Sequence, residues 1–185
     1  MVEKIEFSTG GYEARYGDKM SSALNITYRQ PSRLEASAYA SLLGDGIYVG
    51  YGNKKFAWSN SVRYKTTRNL LGSLDTKGEY RPTFVDYQTY LTLKPNKRWE
   101  INILGNISNN NYNFYPEDRE TRFGTSEDVK SFRVYFDGQE KDVFRTYFGS
   151  AGLTYKIGDD TKLSLIASAF KTHEQERYDI QGQYW

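Results

Sequence analysis

The chain alternates polar and apolar residues in one segment after another, and the segments are joined by turns that are alternately short and long. Residues 83–93 (TFVDYQTYLTL), the turn Pro95-Asn96-Lys97-Arg98 and residues 99–109 (WEINILGNISN) show it best. Residues 143–155 and 162–172 repeat it around a turn at Gly158-Asp159-Asp160. In a strand, successive side chains point to opposite faces, so a period of two separates the residues into two surfaces. Soluble strands usually run about 5–6 residues, whereas crossing a bilayer at a tilt takes about ten. Segments of this length predict an all-β antiparallel meander of the kind that builds a transmembrane β-barrel.

One predicted face is apolar: Val85, Tyr87, Thr89, Leu91 and Leu93; Trp99, Ile101, Ile103, Gly105 and Ile107; Tyr147, Gly149, Ala151, Leu153 and Tyr155; Leu163, Leu165, Ala167 and Ala169. The other face carries Asp86, Gln88, Glu100, Asn102, Asn106, Lys156 and Lys162, which suit water rather than a dry core. Earlier, residues 33–42 place Leu34, Ala36, Ala38, Ala40 and Leu42 on one side, and a turn is predicted at Gly44-Asp45-Gly46. Ile47, Val49 and Tyr51 continue outward, a tight turn follows at Asn53-Lys54-Lys55, and Phe56, Trp58, Val62 and Tyr64 share a face interrupted by Asn60. Long loops are expected at 67–82 and 110–142. A polar connection at His173–Arg177 is expected before a terminal strand, which makes eight wall strands. The short turns at 53–55, 95–98 and 158–160 should share one side, with Phe56, Trp58, Trp99 and Tyr155 beside them.

Composition narrows the function. There is no cysteine, hence no disulfide framework and no thiolate metal site. With 25 basic and 23 acidic residues the net charge is +2, which argues against a nucleic-acid surface. Mean hydropathy is −0.76 despite 17 Tyr, 10 Phe and 3 Trp. That combination fits a polar lumen with aromatic belts, and it also fits a soluble sheet protein. No apolar run reaches the ~20 residues of a spanning helix. The chain opens at Met1-Val2-Glu3-Lys4 directly on strand-like sequence, without a signal peptide, and 178–185 reads as a strand still running. It is therefore expected to be an excised or engineered piece of something longer.

Motifs of chemistry are sparse. His173-Glu174-Gln175-Glu176 has one His, too few ligands for an ordinary metal site. Glu117-Asp118-Arg119-Glu120 and Glu127-Asp128 lack the oxygen spacing of a calcium loop. There is no Gly-x-Ser-x-Gly elbow, and Gly50-Tyr51-Gly52 lacks the third glycine and the helix of a dinucleotide site. The sequons at Asn25 and Asn106 fall in predicted strands, where coincidence explains them. Neither an enzyme nor a cofactor is expected.

Residues 3–29, EKIEFSTGGYEARYGDKMSSALNITYR, resemble the end of the plug domain of TonB-dependent outer-membrane receptors. The matching positions are Ile5, Gly10, Gly11, Ala14, Tyr16, Gly17, Ser21, Ser22, Asn25 and Ile26; the family often has glycine where Ser21 and Ser22 stand here. Arg63-Tyr64-Lys65, residues 70–80 (LLGSLDTKGEY) and Tyr135-Phe136-Asp137-Gly138-Gln139 resemble a subgroup of the same receptors. The resemblance implies a 22-stranded plugged barrel, with residues 1–31 the end of the plug and 32–185 the first barrel strands; the break falls at Gln30-Pro31-Ser32. It further implies energised uptake of a scarce nutrient at the outer membrane of a Gram-negative bacterium. The partners would be the TonB complex, outer-membrane lipid, a small-molecule, glycan or peptide ligand, and a surface lipoprotein in some systems. Tyr80, Arg81, Tyr112, Phe114, Tyr115 and Arg119, on the long loops, are the candidate substrate-binding residues, because loops on a rigid scaffold commonly carry recognition. The competing expectation is a self-contained soluble or surface β-sheet binding module.

Overall fold

The structure, a computed structural model, describes residues 1–11, 13, 16–17, 21–67, 78–125 and 128–184. Ala14 of the plug-like stretch, most of the 67–82 segment, Glu127 and Trp185 lie outside the described residues. The protein is all-β, 79% strand. Strands β1 (Val2–Thr9) and β2 (Ser22–Tyr28) form a separate two-stranded antiparallel sheet. The remaining strands are β3 (Glu35–Ser41), β4 (Gly44–Gly52), β5 (Phe56–Thr66), β6 (Gly78–Tyr80), β7 (Thr83–Leu93), β8 (Trp99–Pro116), β9 (Arg119–Gly124), β10 (Val129–Lys156) and β11 (Lys162–Tyr184). Seven of these form a meander in the order β3-β4-β5-β7-β8-β10-β11, curled into a half-barrel; β6 pairs with β8 and β9 with β10.

The short turns are closed by side chains that mimic backbone. Asn53 Oδ1 accepts from the Lys55 and Phe56 amides at 2.8 and 3.2 Å. Asn96 Oδ1 accepts from Arg98 and Trp99 at 2.9 and 3.1 Å, the same local bond by which Asn favours turns. The Lys94 amide donates to Lys55 O and the Lys156 amide to Arg98 O, so the three short turns share one edge. The first hairpin corrects the turn expected at Gly44-Asp45-Gly46. It turns at Leu42-Leu43, where Ser41 Oγ accepts from the Leu43 amide and donates to Gly44 O. The glycines stand inside β4 instead, because β4 passes under other groups: a Cβ on Gly46 would overlap the Tyr39 ring, and one on Gly52 the Pro31 carbonyl.

Two further expectations are corrected. The segment 110–142 is not a loop: β8 continues to Pro116, and β9 and the start of β10 form a hairpin from Arg119↔Val134 to Gly124↔Val129. His173–Arg177 is not a connection either, since it runs inside β11, opposite Arg145 to Lys141. Among the described residues the meander therefore has seven strands rather than eight, with β6 and β9 paired beside it. In β9, at the start of β10 and along β11 nearly every side chain is exposed, so the side chains lose their pattern while the backbone ladder continues.

The sheet has two unlike faces. In β4 burial alternates: Gly44, Gly46, Gly50 and Gly52 are buried, and Asp45, Ile47, Val49 and Tyr51 are exposed. Among the described residues the buried apolar side chains are Ala23, Pro31, Ala57 and Pro82, while Ile103 is 42% and Leu165 69% exposed. An ordinary soluble domain hides such residues in a core. Here the apolar set faces outward.

Candidate functional site

The concave face is polar and is crossed by the chain that links the two sheets. The Tyr28 ring stacks on Tyr90 (centroids 4.8 Å apart, 24° between planes), and Gln88 Nε2 donates to the Tyr28 hydroxyl at 3.3 Å. Ser59, fully buried, donates to Arg29 O at 3.2 Å; Lys94 Nζ donates to Gln30 Oε1 at 3.0 Å. Arg29 pairs with Glu35 at 3.0 Å, and Pro31 lies over Gly50 and Gly52. Around this strap the strands bond to one another. Tyr90 and Thr92 hydroxyls donate to Asn102 Oδ1 at 3.1 and 2.8 Å, Asn102 Nδ2 donates to Glu100, and Arg63 donates twice to Asp86 Oδ2. Each buried polar group here gains a partner, which offsets the cost of taking it out of water.

At the long-connection end, register gathers most of the sequence-derived candidates. β6 pairs Tyr80 with Phe114 and Glu79 with Tyr115. Tyr80 and Phe114 rings lie 4.6 Å apart. Tyr112 meets Phe84 and Phe144 edge-on at 5.4 and 5.8 Å. Arg81 holds its guanidinium 4.8 Å above the Tyr115 ring and donates to Glu79 Oε2. Tyr80, Arg81, Tyr112 and Phe114 line one cavity of about 240 Å³ with Pro82, Asn113, Glu140 and Asp142. Arg119 is placed elsewhere, opposite Val134 at the start of β9.

Sequence reading missed Phe84, Phe144, Glu140 and Asp142 as members of this cluster. The signal was present: 140, 142 and 144 continue the even-numbered, inward phase of Thr146 to Lys156. Glu176 stands opposite Asp142 and Glu174 opposite Phe144 on β11. Repulsion from Glu174 first, then Asp142, pushes the Glu176 carboxyl up from its ordinary value. Asp142 Oδ1 is enclosed without a hydrogen-bond partner. His173 alternates to the face away from Glu174 and Glu176. Chemically, rings beside carboxylates can stack on the apolar side of a ligand while accepting hydrogen bonds from its hydroxyl or amine groups. Farther out, Glu120 accepts from Arg133 at 2.7 Å, Arg122 at 2.8 Å and Ser131 at 2.9 Å, which lowers its carboxyl from 4.5 to about 2.

The convex face has its own order. A lower aromatic row beside the short turns comprises Tyr51, Phe56, Trp58, Trp99 and Tyr155, with Tyr51–Phe56 at 5.7 Å and Trp99–Tyr155 at 4.6 Å. An upper row comprises Tyr64, Tyr87 and Tyr147, the last two aligned through Ile107. Phe56 to Tyr64 and Tyr147 to Tyr155 each span eight residues, about 26 Å along a strand and about 20 Å along the axis of a barrel at ~40° tilt. Between the rows the outward positions hold no Asp, Glu, Lys or Arg. Asn60, the interruption seen in sequence, accepts from the Tyr87 hydroxyl at 2.9 Å.

Comparison of the chain with protein-family models, with curated proteins and with solved structures finds no match.

Proposed function

We propose that the chain forms part of the wall of a TonB-dependent outer-membrane transporter, with residues 1–31 as the end of its plug and 32–185 as barrel strands. The observation that carries this reading is the exposed, charge-free apolar face bounded by two aromatic rows. Outer-membrane barrels have an apolar band roughly 25 Å tall flanked by such girdles. The strap at Tyr28–Pro31 supports a plug held against the lumen side. In this reading a nutrient is caught at the cluster of Tyr80, Tyr112 and Phe114 with Glu140 and Asp142, and energy passed from the TonB complex shifts the plug to let it through. The near absence of buried apolar side chains among the described residues speaks against a self-contained soluble module.

The wall is testable because the chain has no cysteine of its own. Single cysteines placed at 101 to 107 in lipid vesicles should react with a water-soluble thiol reagent at Asn102→Cys and Asn106→Cys. They should resist it at Ile101→Cys, Ile103→Cys and Ile107→Cys. Uniform labelling would end the wall reading. Capture is tested separately, in cells whose growth on a scarce nutrient depends on this protein. The triple substitution Tyr112→Ala, Phe114→Ala, Tyr115→Ala should cut uptake at least about tenfold, because rings of this kind contribute about 0.5–1.5 kcal/mol each beyond their burial. Unchanged uptake removes the cluster from recognition.

A further inference from the structure

The short-turn edge of the sheet carries a second feature. Lys54, Lys55, Lys94, Lys97 and Lys156, five cations against the single carboxylate of Glu100, line one recess of about 570 Å³ together with Trp99 of the lower aromatic row. They come from three separate connections, and the backbone bonds Lys94 N to Lys55 O and Lys156 N to Arg98 O bring these together. Lys94 is engaged by Gln30 at 3.0 Å and by Glu100 at 3.8 Å. No carboxylate among the described residues pairs with Lys54, Lys55, Lys97 or Lys156, whereas Arg29, Arg63, Arg81 and Arg133 elsewhere on the sheets all have carboxylate partners. Asp159 and Asp160 belong to the third turn, and neither lines the recess. Holding uncompensated ammonium groups together costs repulsion that a bound anion would relieve. The adjoining Trp99–Tyr155 pair belongs at headgroup depth, where amphipathic rings settle.

We propose that this recess binds the phosphate headgroup of an anionic phospholipid in the leaflet that faces the short turns. The proposal rests on the bilayer-wall reading. It adds that this end of the wall is anchored by charge as well as by apolar area. Lys54, Lys55 and Lys97 supply mobile ammonium donors, Lys156 closes the recess from the lumen side, and Trp99 sets the depth.

The test folds the chain into phosphatidylcholine vesicles, with and without about one-third phosphatidylglycerol, at low and high salt. The amount bound and the β-sheet circular dichroism are both measured. The chain should bind both vesicles, more tightly with phosphatidylglycerol, and salt should erase the difference. The triple substitution Lys54→Gln, Lys55→Gln, Lys97→Gln should reduce the phosphatidylglycerol preference by roughly fivefold per lysine. The triple lysine-to-arginine variant should keep the preference, and so should Lys130→Gln with Lys141→Gln at the opposite end. Equal binding to both lipids would overturn the headgroup site and leave the wall standing. A preference that survives the glutamine substitutions would also overturn it. Binding to neither vesicle would overturn the wall reading itself.

Discussion

Replacing Ile103 with arginine is expected to cost about 2–4 kcal/mol of folding stability in a bilayer, the usual penalty for a cation near the midplane of a barrel wall. Ile103 lies between Leu91 and Ala151 on the convex face, four residues from Trp99 and four from Ile107, so it is central in the band between the aromatic rows. No carboxylate on that face is close enough to receive the guanidinium. A matched control is Ser108→Arg. Ser108 faces the concave side opposite Asp86 and Thr146, where a cation meets water and a carboxylate, and the expected change is under about 1 kcal/mol. Urea titration of both variants folded into vesicles gives the comparison. If the two substitutions cost the same, the convex face does not contact lipid.

Gly52→Val is expected to lower stability by about 1–3 kcal/mol, the range for forcing atoms into a filled space, and to free the strap at Arg29–Ser32. A Cβ at Gly52 would overlap the Pro31 carbonyl and would stand 2.8 Å from Phe56 O and 2.9 Å from Ala57 Cα, all of it main chain that cannot swing aside. The least costly escape is for Pro31 to lift. That movement breaks the Ser59–Arg29 bond and unstacks Tyr28 from Tyr90. Trypsin should then cut after Arg29 and Arg33 far faster than in the unaltered chain, while the denaturation midpoint falls. Gly149→Ala is the contrasting change. No heavy atom lies within 4 Å of its Cβ position, so it should be neutral or gain up to about 1 kcal/mol by removing a glycine from a strand interior. Unchanged protection of Arg29 in the Gly52 variant would show that the strap is not held by this contact.

The two faces of the wall were legible in the sequence because a period of two is a local property. Val85 and Tyr87 read as outward, and Asp86 and Gln88 as inward, without knowledge of any partner strand, and the structure places them so. The short turns were equally legible, since Asn53 and Asn96 act within three residues of themselves. The Leu42-Leu43 turn was not. Gly44 and Gly46 look like a turn signal, yet they are needed to let the Tyr64 carbonyl and the Tyr39 ring approach, and only a folded neighbour creates that need.

Of the candidate site, residue types were visible and neighbourhood was not. Tyr80 and Phe114 are 34 positions apart in the chain and meet because β6 adds to the end of β8. Arg119 looked equivalent to Arg81, but it falls on β9 because that hairpin pairs with the far end of β10. The run 173–177 hid a strand because a ladder exposed on both sides needs no apolar alternation, only backbone partners, and 110–116 hid one because Asn110, Asn111, Asn113 and Pro116 read as loop residues.

By itself, then, the sequence determined which side of a strand each wall residue occupies, how long its apolar stretch is, and where the tight turns close. The tertiary structure alone decided register, the reach of β8, β10 and β11 beyond the apolar band, and the strap across the concave face. The reason is physical. Face and turn depend on contacts between near neighbours in the chain, whereas register is chosen by hydrogen bonds and packing between segments tens of residues apart, and a one-residue slip would turn every side chain to the other face.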